Sequence, residues 1–210
     1  MGKLENGAFG GFSGKVGSVV GSKWRNQNII RSRPTGRKKD ATTPQLAQQQ
    51  KLQIVGRFLT PVKTIVQPGF GKLDNGTYGM HAAQSYHMKE AIIGAYPNQE
   101  IDCLKAVFTF GGLASVPNPT VALLAGRTLS FRWDDNSHLG NAGPEDTLIA
   151  IAYCKAQQAF EWNCKAKRSG SFATIAVPVQ WSGTVYCWIA LQSEFRNEAA
   201  TSVFIGTVAL

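Results

Sequence analysis

Six short apolar runs in the second half of the chain constrain its fold more than any other feature. Glycine, proline, asparagine or aspartate separates each run from the next, and β-branched and aromatic residues dominate the runs. They cover residues 106–110, 129–133, 147–153, 172–177, 184–191 and 202–208. Short strands with such punctuation are typical of an antiparallel sandwich or barrel. The sequence therefore predicts a fibronectin- or immunoglobulin-like β-sandwich over residues 100–210. The cysteine and tryptophan spacing of a disulfide-bonded immunoglobulin domain is not convincing, which favours the fibronectin-like form.

Residues 41–99 have the periodicity of helices. Thr43 and Pro44 are typical of a helix start, a hydroxyl N-cap followed by proline at the first helical position. An apolar stripe at helical spacing then predicts core packing, and Pro61 predicts where this helix bends or ends. The stripe consists of Ile54, Val55, Phe58, Leu59 and Val62. A second helix is predicted from about 78 to 93. The predicted fold class is α+β and mainly β, with a hairpin and two helices before the sandwich.

Residues 1–40 form a third segment, a basic arm rich in glycine. The stretch 15–24 combines β-branched residues with a tryptophan, residues 25–28 can turn, and residues 29–33 can run back beside the first strand. This pattern predicts a β-hairpin over 14–33. A hairpin alone is marginally stable in water, so we expect it to pack on the rest of this chain or on another copy.

The positive charge of the chain is concentrated in its first third. The net charge is +9, yet residues 1–72 contain 13 Lys and Arg against two Asp and Glu, whereas residues 73–210 contain nine against 11. A basic segment on a nearly neutral body indicates an anionic partner, with a solvated, solubilising arm as the alternative. The cations predicted to contact such a partner are Lys15, Lys23, Arg25, Arg31, Arg33, Arg37, Lys38 and Lys39.

Residues suited to catalysis or metal binding do not converge. Asp134 and Asp135 lie near His138, where paired carboxylates could bind a cation or exchange protons, but the same residues also favour a turn. His81 and His87 are six residues apart, a spacing that does not place them on one helical face. The sequence therefore predicts a protein that is not an enzyme and that has no cofactor or metal.

The cysteines and the apolar segments indicate in which cellular compartment the protein is made. Cys103, Cys154, Cys164 and Cys187 include no C-x-x-C pair, and they favour buried free thiols over two disulfides. No apolar run is long enough to cross a bilayer, and the first residues lack the apolar core of a signal peptide. We expect synthesis in the cytoplasm, and the sequence leaves the final location open.

The chain contains several segments of distinctive sequence. The most specific are the opening at 7–21, followed by Trp24, and the segment 30–34. Others lie at 85–86, 95–102, 118–119, 133–137, 140–142 and 202–208. In these segments the chain resembles a Bacteroidota protein family of unknown function, which implies the host phylum and carries over no catalytic residues. Residues 14–60 are also similar to the start of phage-type structural proteins, which implies a role in assembly.

Together these features predict a structural protein that self-assembles, or docks on a larger scaffold, through its N-terminal arm. Strand addition or apolar docking would supply the affinity. The predicted anchors are Phe9, Phe12, Val19, Val20 and Trp24. One alternative is a nucleic-acid-associated protein that uses the basic segment 15–39, since cations interleaved with aromatics hold single strands. Another is a glycan- or ligand-binding sandwich in which Trp162 or Trp181 lines a site.

Overall fold

The computed structural model describes residues 3–4, 11–24, 27–34, 40–71, 76–193, 195–196 and 198–210. Its contacts divide the chain into one compact unit at residues 1–42 and a second at residues 43–210. The described part is mainly β, with several antiparallel sheets and three α-helices, as the sequence predicts at the level of fold class. The finer division into 1–40, 41–99 and 100–210 stays a prediction.

The first unit is an antiparallel meander in the order β1-β2-β3-β4. Its strands are β1 (Lys3–Leu4), β2 (Phe12–Val16), β3 (Val19–Trp24) and β4 (Gln27–Ser32). The predicted single strand over 15–24 is wrong, because residues 17–18 form a two-residue turn within it. Gly17 has a φ of +56°, a conformation that glycine adopts without steric cost and that short hairpin turns require.

The second unit begins with three helices rather than the two predicted. They are α1 (Thr43–Leu59), α2 (Lys63–Gly69) and α3 (Gly79–Glu90). Helix α1 starts at Thr43, one residue before the predicted first helical position at Pro44, and ends before Pro61. The chain resumes helical geometry after Pro61, because Ile65 and Val66 can then join the same core as α1. Helix α3 is shorter than predicted, since Ile92–Ile93 forms a strand.

Two larger antiparallel sheets and a short two-stranded ribbon contain the described strands of the second unit. The order of the larger is β10-β9-β12-β14, with the two-residue β13 also pairing with β12, and the order of the smaller is β11-β8-β7. A separate two-stranded ribbon joins β5 (Ile92–Ile93) and β6 (Glu100–Ile101). The other strands are β7 (Thr120–Leu124), β8 (Thr128–Arg132), β9 (Thr147–Cys154), β10 (Ala159–Lys167), β11 (Phe172–Ala176), β12 (Thr184–Ser193), β13 (Glu198–Ala199) and β14 (Val203–Ala209).

Each face of the larger sheet packs on a different layer. Alternate residues of a strand point to opposite faces, and in β9 they fall into two separate cores. Ile151 and Tyr153 pack in the core that contains the helices, whereas Ala150 and Ala152 pack in the core shared with the smaller sheet. The larger sheet therefore lies between a helical layer and the smaller sheet, and this explains why all of β9 after Thr147 is buried.

The apolar run at 106–110 is not a strand, which corrects the prediction. Several of its polar groups bond outside any ladder: the N–H of Phe108 donates to Ser202 Oγ at 2.9 Å, and the Thr109 hydroxyl donates to the Ala200 carbonyl at 2.6 Å. Its one bridge joins Phe110 to Phe70. Because Ala106 and Phe108 are buried in the core with the helices, the run is apolar for reasons of packing.

Candidate functional site

The strand pairing of the N-terminal sheet sorts its residues onto two chemically different faces. Directly paired residues of an antiparallel sheet share a face. Val20 pairs with Lys15 on one side and with Arg31 on the other. The next residue, Gly21, pairs with Gly14 and Ile30 and therefore belongs to the opposite face.

We call one of these faces the apolar face, defined by Phe12, Val16, Val19 and Ile30. The Phe12 ring lies over Gly21, where an added Cβ would come within 2.7 Å of the ring carbons, so this position requires glycine. Val16 is 52% exposed and Ile30 is 65% exposed. Apolar side chains thus lie side by side in solvent on this face.

The opposite face is basic, and we define the basic face by Lys15, Trp24, Arg31 and Arg33. Arg33 extends the pairing beyond β4, because its N–H donates to the Ser18 carbonyl at 2.7 Å. It lies two residues after Arg31 and therefore on the same side of the sheet. Trp24 is 58% exposed. This face combines cations with an accessible aromatic ring.

The residues predicted as assembly anchors divide between these faces. Phe12 and Val19 lie on the apolar face, Val20 and Trp24 lie on the opposite one, and Phe9 lies outside the described residues. The prediction did not include Val16 and Ile30, the two most exposed residues of the apolar face. Period-two alternation on each side of the turn at residues 17–18 is the signal that could have identified them.

Of the eight cations predicted to contact an anionic partner, the structure places three on one face of the sheet. Lys15, Arg31 and Arg33 share the basic face, whereas Lys23 lies at the end of the apolar face, paired with Asn28. Arg25, Arg37, Lys38 and Lys39 lie outside the described residues.

The loop with Asp134 and Asp135 is held as a turn by its own side chains. Asp135 accepts hydrogen bonds from the N–H of Ser137 at 2.9 Å and from its hydroxyl at 3.1 Å. Asp134 accepts one from the Asn118 amide at 2.7 Å. Within the described ranges, no three His, Cys, Asp or Glu side chains are grouped closely enough to hold a metal ion.

A buried ion pair stands beside this loop, and sequence reasoning missed it. The Arg168 guanidinium donates to Asp146 Oδ2 at 3.0 Å and 3.1 Å, to Asn136 Oδ1 at 2.6 Å and to the Ala114 carbonyl at 2.8 Å. The Trp133 indole donates to the Arg168 carbonyl at 2.7 Å. Since the cation is fully buried and surrounded by bonded partners, its role is to join loops rather than to contact a ligand.

The histidines, cysteines and tryptophans considered as site residues do not come together in one place. His81 is exposed and His87 is fully buried, so the two do not form one site. The four cysteines are free thiols, and only Cys164 is exposed. Trp181 is 3% exposed and belongs to the core between the sheets, which makes it wrong as a ligand-lining residue, whereas Trp162 is 38% exposed. None of the helices in the described ranges is both long and apolar enough to cross a membrane.

Fold and surface together define a mainly β protein whose N-terminal sheet exposes an apolar and a basic face. Residues 11–206 match the model of a family described as a family of unknown function (DUF6266), and the chain belongs to this family. The match covers nearly all of the two units and carries no information on a host phylum or on phage proteins. A comparison with curated proteins finds no match.

Proposed function

We propose that this chain is a non-enzymatic structural protein that self-assembles through the apolar face of its N-terminal sheet. One observation carries the proposal: among described residues 11–24 and 27–34, Gly21 alone is buried. Small sheets need a covered hydrophobic face to be stable in water. This sheet has the strands and the apolar face, but none of the described side chains on that face is buried.

The partner that we favour for the apolar face is a second copy of this chain. The apolar face carries a single described cation, Lys23 at its end, while Lys15, Arg31 and Arg33 lie on the other side. Two copies that meet with their apolar faces would therefore keep most of their positive charges pointing away from each other. An isologous contact of this kind uses the same patch twice and closes as a dimer. Docking of the same face on a larger scaffold is the alternative outcome.

Adjacent isoleucines on opposite faces allow a matched test. Ile30→Lys would bring a charge into the proposed contact, whereas Ile29→Lys makes the same change on the other face of the same strand. We expect light scattering to show concentration-dependent oligomers for the unmodified protein and for Ile29→Lys, and monomers for Ile30→Lys. A protein that stays monomeric throughout the concentration series would contradict self-assembly, and loss of oligomers in both variants would contradict the assignment to this face.

The basic face favours a second candidate function, the binding of single-stranded nucleic acid. Cations that contact phosphates and an aromatic ring that stacks on bases are the usual elements of such binding. We expect the affinity for a fluorescent oligonucleotide to fall with salt, and Arg31→Gln to lower the slope of that dependence by about 0.7. Lys23→Gln removes the same charge from the opposite face and should leave the slope unchanged. A salt-independent affinity would contradict this function.

We further propose that the two larger sheets form a fibronectin-like sandwich. Strand order supports it: β9, β12 and β14 are neighbours, as are β7, β8 and β11, and the two sheets share one core. Strand β10 stays beside β9 instead of crossing to β11, which favours the fibronectin-like arrangement over the immunoglobulin constant type. An experimental structure in which the backbone of β10 forms a ladder with β11 instead of with β9 would overturn this assignment.

A further inference from the structure

A pocket of about 290 Å³ lies where α1, the β5–β6 ribbon and the β9–β10 hairpin meet. Its volume is near the lower end of the ~300–1,000 Å³ typical of small-molecule sites. All of its described lining residues belong to the second unit. The pocket is therefore a candidate site that is separate from the proposed assembly surface.

The floor of the pocket is apolar and closely packed. The Phe58 ring meets those of Tyr153 and Phe160 edge-on, with centroids 5.1 Å and 5.2 Å apart. These rings belong to the core and are held by the helix and the sheet together. Ile54 and Ile101 extend the apolar surface on the sides of the helix and the ribbon. Apolar and aromatic side chains of this kind are the usual lining of small-molecule sites.

The rim carries an excess of positive charge. Lys155 Nζ lies 3.0 Å from Glu100 Oε2, and both side chains are about half exposed. This hydrogen bond raises the pKa of Lys155, so the lysine is charged at neutral pH. Arg57 also lines the pocket, and no carboxylate of the described residues lies within ion-pair distance of it. The two cations and one anion leave a net positive charge at the mouth.

Polar groups deeper in the pocket are neutral. Burial raises the pKa of Tyr153 to about 12 and that of the Cys103 thiol to about 11. Cys103 is consequently a thiol rather than a thiolate nucleophile at neutral pH, which favours binding over covalent chemistry. The Oε1 atom of Gln99 is buried, and none of the described groups donates a hydrogen bond to it. A bound molecule with an N–H or O–H group could satisfy this acceptor.

We propose that the pocket binds a small amphipathic organic anion, with its flat apolar body on the aromatic floor and its carboxylate at Arg57. The apolar body accounts for the composition of the floor, and the anionic group offsets the excess positive charge that the described residues leave at the rim. The proposal does not rest on the proposed assembly function, since none of the described lining residues belongs to the N-terminal sheet.

Two probes of the same shape test the proposal on the full-length protein. 1-Naphthoate has a flat apolar body and a carboxylate, and 1-naphthamide replaces the carboxylate with a neutral amide. We expect saturation-transfer NMR to show that naphthoate binds about fivefold more tightly than naphthamide, the size expected of an ion pair with an exposed arginine. Equal affinities of the two probes, or no binding of naphthoate, would overturn the proposal.

Variants of α1 locate the site. Arg57→Gln should abolish the preference for the carboxylate, while Lys51→Gln removes the same charge from the same helix outside the pocket and should preserve it. Ile54→Trp should fill the pocket and remove binding of both probes, with thermal unfolding as the check that the variant is folded. A preference that survives in Arg57→Gln, or binding that survives in folded Ile54→Trp, would place the probe elsewhere and refute the assignment.

Discussion

Among single residues, His87 shows most clearly how burial sets a chemical state. Its Nε2 accepts a hydrogen bond from the N–H of Val107 at 3.3 Å, so the ring proton is on Nδ1, which donates to the Ala83 carbonyl at 2.8 Å. Burial of the ring lowers its pKa to about 4, because the charged form would lose its water. The neutral ring thereby attaches α3 to the segment 106–110.

This histidine predicts how stability depends on pH. Its pKa in the unfolded chain is about 6.5, so between there and about pH 4 the unfolded state binds a proton that the folded state does not. We expect its contribution to the free energy of unfolding to be complete above about pH 6.5 and to decrease as pH falls towards 4, by roughly 3 kcal/mol in total. Urea denaturation along a pH series measures this.

Two histidine variants separate this effect from general acid sensitivity. In His87→Gln the free energy of unfolding should decrease by roughly 3 kcal/mol less between about pH 6.5 and pH 4, since no titratable ring remains. The exposed His81 lies on the same helix, and His81→Gln should retain the full decrease. Identical profiles for His87→Gln and the unmodified protein would show that His87 is not responsible.

At the scale of elements, Arg168 joins loops of the two larger sheets that the strand ladders leave separate. Arg168 follows β10, Asp146 precedes β9, and Asn136 follows β8. Their hydrogen bonds connect the end of the larger sheet to that of the smaller one. These loops need side-chain partners because no ladder pairs the two sheets at this end.

We expect Asp146→Asn to destabilise the second unit by about 3–5 kcal/mol, because it leaves a buried guanidinium without its counter-charge. Glu100→Gln makes the same chemical change in the half-exposed pair with Lys155, and its cost should not exceed about 1 kcal/mol. Urea denaturation of both variants at neutral pH compares them. Losses of equal size would contradict the importance assigned to the buried pair.

At the scale of the whole molecule, the two units differ in how they are stabilised. The earliest residue in either core of the second unit is Val55, so no described residue of the N-terminal sheet contributes to them. The second unit has two cores on the faces of one sheet, while the N-terminal sheet buries only Gly21 among its described residues. The first unit is therefore the one for which we propose a partner.

We predict that residues 43–210 fold without the first unit, because their cores are complete within that range. This fragment should unfold cooperatively, with a Tm within a few degrees of that of the full chain. Near-ultraviolet circular dichroism should retain the signal of the fully buried Trp188. A broad transition without that signal would show that the N-terminal sheet contributes to the cores.

Local sequence determined the elements whose signals are short-range. Five of the six apolar runs coincide with β8, β9, β11, β12 and β14, because alternation or continuous apolar composition reports burial directly. The start of α1 at Thr43 and its end before Pro61 follow from backbone chemistry at those residues. Strand β10 was missed because its alternating pattern is interrupted by polar residues and a bulge after Asn163.

Only the tertiary structure decided which residues meet across long stretches of chain. The run at 106–110 has the composition of a strand, but the helices and the larger sheet leave it no ladder to join. Arg57, Glu100 and Lys155 share a pocket, and Arg168 meets Asp146, through contacts that no local pattern encodes. The sequence by itself thus determined the local elements and the excess of charge in the arm. Tertiary packing decided the faces and sites, because these depend on register and on contacts between distant residues.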